Sequence, residues 1–147
     1  MNIAFIGPGI MPIPPDGWGA VEMLIWDYAT VLGELEHTGT IINTPDRSQI
    51  IQELKEEEFD IVHLHYDVFH DIIPEILNTI SGKLIVSSHY PYINFPDMWA
   101  RDNYNQIVKS YIDNNIQGSV SDVDLFMIRQ IAVGDTYLSS GFLTEVT

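Results

Sequence analysis

Short apolar runs that alternate with amphipathic stretches set the tightest limit on how this chain can fold. Residues 2–7, 39–43, 59–64 and 83–87 are each too brief for a stable helix and apolar enough for strands buried on both faces. Between the first two runs, residues 20–35 bring Val21, Leu24, Ile25, Tyr28, Ala29, Leu32 and Leu35 to helical spacing, with Glu22, Asp27, Thr30 and Glu34 opposite. Pro45, Asp46 and Arg47 open a second helix, whose outer face carries the charge run Lys55, Glu56, Glu57, Glu58, and a third begins near Pro74. Further along, Pro96 and Asp97 open a helix with an apolar stripe of Tyr104, Ile107, Val108, Tyr111 and Ile112. Residues 118–121 read as a short fifth strand, and Asp122 as the cap of a helix through Val123, Phe126, Met127 and Ile131. Such alternation predicts one α/β domain over 1–147, a doubly wound parallel sheet with helices on both faces.

Composition narrows the partners. The 147 residues suffice for one core but not two, and 46% hydrophobic content supports independent folding. Twenty-one acidic side chains face six Lys and Arg, a net charge of -15 that repels a nucleic-acid backbone or an anionic membrane surface. With no cysteine there are no disulfides and no thiolate metal ligands, which suits a reducing compartment. The first residues lack the basic flank and cleavage site of a signal peptide, and no apolar run is long enough to span a bilayer. A cytoplasmic protein without a transmembrane segment is expected.

In a parallel sheet of this kind the ligand crevice lies beyond the carboxyl ends of the strands. Gly7-Pro8-Gly9 does not complete a dinucleotide fingerprint, because the third glycine would fall at Pro12. The loop instead runs through Pro12, Pro14 and Pro15 to Asp16-Gly17-Trp18-Gly19 at the mouth of the first helix. Those glycines either cradle an anionic group on the helix amides or serve a tight turn. Glu22 is either a favourable charge in the first helical turn or a ligand-facing acid. After the third strand, His63, His65, Asp67, His70 and Asp71 form the densest ligand-like cluster, and after the fourth, His89 stands beside Tyr90 and Tyr92. Histidine and tyrosine there suit an amphipathic ligand such as a sugar.

Three segments in this order resemble the N-terminal half of family 4 glycosyltransferases of the GT-B fold. Gly17-Trp18-Gly19-Ala20-Val21-Glu22 is similar to that family's glycine-rich GGVE element, either with Ala20 in place of the second glycine or with Gly17 and Gly19 as the pair and Trp18 between them. Asp60-Ile61-Val62-His63-Leu64-His65 is similar to its third strand, and Ser87-Ser88-His89 to the strand-end histidine that faces the donor sugar. The likeness covers about residues 1–132 and implies a Rossmann-like domain on the acceptor side of a two-domain cleft. It further implies donor-phosphate contacts at Gly17, Trp18 and Gly19, a catalytic sugar contact at His89, and a substrate cleft lined by Glu22, His65, Tyr66, Tyr90 and Tyr92. The donor would be a nucleotide-sugar, with no tightly bound cofactor and no obligatory metal, and transfer would be retaining. The donor-binding half is expected to be absent, so the implied partner is a separate C-terminal domain or a second copy of the chain. Without that half the domain is expected to be inactive.

Two rival readings follow from the residues. A non-catalytic binding or interaction module could keep this fold after losing the donor half. A metal-dependent hydrolase would use His63, His65 and Asp67 as an HxHxD cluster, but Val68 stands where that signature requires a further histidine, so no metal site is expected. Under the non-metal reading His63 is hydrogen-bonded within the sheet and His65 faces the crevice.

Overall fold

A computed structural model describes residues 1–87, His89, Ser110, Asp113, Asn114 and the backbone of Gln117–Ser119. Five strands, β1 (Asn2–Ile6), β2 (Thr38–Ile42), β3 (Ile61–Leu64), β4 (Lys83–Ser87) and β5 (Gln117–Ser119), form one sheet in the order β2-β1-β3-β4-β5. Every neighbouring pair is parallel. The boundaries lie within two residues of those expected from the apolar runs. Strand order reverses direction between β1 and β3, so loops leaving these two strands part to opposite sides and open a crevice at their carboxyl ends.

Helices α1 (Ala20–Glu34), α2 (Arg47–Glu56) and α3 (Ile73–Thr79) cover both faces. Alternation along the strands sorts the side chains. Ala4 and Ile6 of β1, Val62 and Leu64 of β3, and Leu84 and Val86 of β4 share a core with Ile50, Ile51 and Leu54 of α2 and Ile73 and Ile76 of α3. The intervening residues Ile3, Phe5 and Ile61 face α1 through Val21, Ile25, Ala29 and Leu32. This is an α/β fold with an all-parallel sheet covered by helices on both faces, consistent with a Rossmann-like domain. Among the described residues no helix is long and apolar enough to cross a membrane.

The helix ends follow from local chemistry. Asp46 caps α2, its carboxylate accepting from the backbone N–H of Ser48 at 2.8 Å and of Gln49 at 3.3 Å. A short 3-10 helix, Asp67–Ile72, leads into α3, where Pro74 occupies the first turn. The Lys55–Glu58 charge run is solvent-exposed, as its composition requires. On α1 the buried face is narrower than its apolar sequence, since Met23, Trp26, Tyr28, Val31 and Leu35 are all exposed. The helix expected from Pro96 falls outside the described residues except at Ser110 and Asp113, and that expected from Asp122 falls wholly outside them.

Candidate functional site

The loop between β1 and α1 is tied to the neighbouring strand's end. Gly7 N–H donates to Ile42 O at 2.9 Å, Asn43 Oδ1 accepts from Gly9 N–H at 2.9 Å, and Asn43 Nδ2 donates to Met11 O at 2.9 Å. One side chain thus fixes both arms of the turn. Gly9 has φ 71° and lies against the backbone of Thr44 and Pro45. Sequence reading singles out the prolines and glycines of this loop but misses Asn43, which it places as the last residue of the second strand, whereas β2 ends at Ile42 and leaves Asn43 just beyond it.

At the far end of the loop Gly19 caps α1 in an extended conformation, its carbonyl accepting from Met23 N–H at 2.8 Å. A Cβ at Gly19 would lie 2.6 Å from Met11 Sδ and 2.9 Å from Glu22 Oε2, so the loop and the Glu22 carboxylate already occupy that side. The space around Gly17 is open, and Trp18 is 90% exposed. Glu22 is buried in the first helical turn, where the helix dipole favours its charge.

The histidines converge on the α1 face of the sheet. His63 and His65 are alternate residues of one extended stretch, and their rings lean together to a centroid separation of 3.9 Å. Phe5 of β1 and Tyr28 of α1 pack around both rings at 6.0 to 6.4 Å. His63 Nε2 pairs with Ser87 Oγ at 2.7 Å, and His65 Nδ1 with His89 Nε2 at 2.9 Å. His63 therefore has the in-sheet hydrogen bond that the sequence suggested. His65 is only 2% exposed and forms the floor of the crevice instead of an open wall.

Burial makes these imidazoles weak bases. His63 is lowered to about 4, first by desolvation and then by His89. His65 is lowered to about 3 by desolvation, then by His63 and His89. Desolvation also holds His89 below the usual histidine value, against the opposing pull of Asp67. At neutral pH the three rings are uncharged, and each can donate one hydrogen bond and accept another. The cluster offers directional polar contacts without positive charge.

Other residues expected at the site lie elsewhere. Tyr66 follows His65 and so points to the opposite face, where it packs against the α2–α3 core and edge-on to Phe69 at 5.2 Å. His70 belongs to the 3-10 helix, and its carbonyl accepts from Ser110 Oγ at 3.0 Å. Tyr90 and Tyr92 fall outside the described residues. Among the described residues no group of three His, Cys, Asp or Glu side chains is arranged to hold a metal ion. Comparison of the chain with protein-family models, curated proteins and solved structures finds no match.

Proposed function

We propose that this chain is the acceptor-side half of a glycosyltransferase of the family 4, GT-B kind, active when a donor-binding domain closes over the carboxyl ends of its sheet. The observation that carries this reading is the position of His65 and His89, joined by a hydrogen bond at the carboxyl ends of β3 and β4 beside the switch point. A neutral imidazole matches a sugar hydroxyl, which also donates and accepts.

Charge supports the same division of labour. Among the described residues the cation that follows a strand's carboxyl end is Arg47, and it is bound to Asp71 at 2.7 Å; Lys55 closes α2 and Lys83 opens β4. A departing diphosphate needs countercharge, and on this reading the other half supplies it. The acceptor hydroxyl attacks the anomeric carbon, the bond from that carbon to the diphosphate oxygen breaks, the hydroxyl proton passes to the departing diphosphate oxygen, and His89 contacts the sugar in transit. The amides opening α1 behind Gly17, Trp18 and Gly19 then meet the donor phosphate.

Purified alone, the chain is expected to transfer no sugar from UDP- or GDP-linked donors to a panel of saccharide acceptors, with nucleoside diphosphate release no faster than in a protein-free control. Turnover by the isolated chain at roughly 1 s⁻¹ or more, within the ordinary range for enzymes, would show that no second half is required.

A further inference from the structure

The contact between His65 and His89 fixes more than a distance. The two rings are inclined by only 9°, with centroids 5.2 Å apart and the bonded nitrogens 2.9 Å apart. That centroid separation equals the hydrogen-bond length plus two ring radii. The rings therefore lie edge to edge in nearly one plane, not face to face, and the bond follows the lone-pair direction in which it is strongest.

Of two neutral imidazoles so joined, one donates and the other accepts. His65 decides which. Its second nitrogen, Nε2, is buried and has no hydrogen-bond partner among the described residues. A proton there would be an orphaned buried N–H, the rarer kind of unsatisfied group, whereas a bare Nε2 leaves only an unused lone pair. The His65 proton accordingly sits on Nδ1 and is donated to His89 Nε2. With Nε2 engaged as the acceptor, neutral His89 carries its own proton on Nδ1.

We infer that His65 is a positioning residue, which holds His89 in plane and in the Nδ1–H tautomer so that His89 offers one directed hydrogen-bond donor to a hydroxyl oxygen of a bound sugar. The sugar rests on the function proposed above; the tautomer is a property of the free protein. Phe5, Tyr28 and the His63 ring close around His65. Packing on these sides keeps it from turning, so the restraint is passed on to His89.

Long-range proton–nitrogen correlation spectra of the ¹⁵N-histidine-labelled chain at pH 7.5 test this, because bare and protonated ring nitrogens resonate far apart. Both His65 and His89 are expected as Nδ1–H. His65→Phe keeps a ring but removes the donor, and His89 should then revert to mostly Nε2–H, the form favoured by free histidine. His65→Asn returns an amide N–H close to the position of Nδ1 and should restore Nδ1–H at His89. The inference is overturned by wild-type His89 in the Nε2–H form, or by a His89 tautomer that is the same in His65→Phe as in wild type. Should His65→Phe fail to fold, the wild-type and His65→Asn spectra decide, since both must show Nδ1–H. Adding simple saccharides to the same sample separates the two claims. Expected tautomers with no saccharide-induced change at His89 would count against the sugar reading and leave the positioning role standing.

Discussion

Acidification from pH 7.5 to 4.5 is expected to destabilise the wild-type chain by on the order of 2 to 3 kcal/mol more than a His65→Asn variant. In the unfolded chain a histidine takes up its proton near pH 6.5, whereas folded His65 resists until about 3 and folded His63 until about 4. Above 6.5 neither state is protonated and the burial carries no proton-linked penalty. As pH falls through the window from 6.5 towards 4, the unfolded state binds protons that the folded state refuses, so stability drops by about 1.4 kcal/mol per pH unit for each such group. The net charge of -15 works the other way, because neutralising carboxylates relieves repulsion in the compact state. Only the difference between two chains with the same carboxylates isolates the histidine term. Urea midpoints measured from pH 7.5 to 4.5 should fall faster for wild type; parallel curves would mean that His65 titrates as if exposed.

Gly9→Ala is expected to cost about 3 to 5 kcal/mol, whereas Gly17→Ala in the same loop should change stability by no more than about 0.5 kcal/mol. At Gly9 the new methyl would overlap Pro45 N and Thr44 C, backbone atoms that cannot swing aside, and φ is 71°. Conformational strain and steric overlap therefore add at one residue. Relief would require pulling the turn away from Asn43, which holds it through Gly9 N–H and Met11 O. At Gly17 nothing lies within 4 Å of the added carbon. Chemical denaturation of both variants reads the contrast directly, and similar losses at the two positions would contradict this account of the loop.

The parallel architecture was legible because burial on both faces forces continuous apolar runs such as those that became β1 and β4. The order of strands was not, since alternation implies parallel pairing but says nothing about which strand lies beside which. His63 and His65 could be assigned to one face by strand periodicity, yet their burial depended on Tyr28, brought over them by the docking of α1. That docking is a tertiary fact with no local signature. Ser87 belongs to a motif in the sequence, but its hydrogen bond to His63 depends on β4 lying beside β3. Tyr66 is a different case: the same periodicity that pairs His63 with His65 puts residue 66 on the opposite face, so its departure from the cleft is readable in the sequence itself. Gly17 and Gly19 were grouped by a motif, but their surroundings differ, one open and one filled by Met11 and Glu22.

The central claim, that the crevice at the carboxyl ends of β1, β3 and β4 is half of a sugar-transfer site, is tested most directly by the initial rate of transfer when the chain is fused to the donor-binding domain of a family 4 glycosyltransferase. The account predicts transfer by the fusion and a rate roughly 100-fold lower in its His89→Ala variant, which stays folded with a urea midpoint lowered by the loss of the His65 hydrogen-bond partner, because one polar contact to the reacting sugar is removed while the fold is kept. A folded fusion that transfers nothing, or one in which His89→Ala matches the wild-type rate, would contradict it.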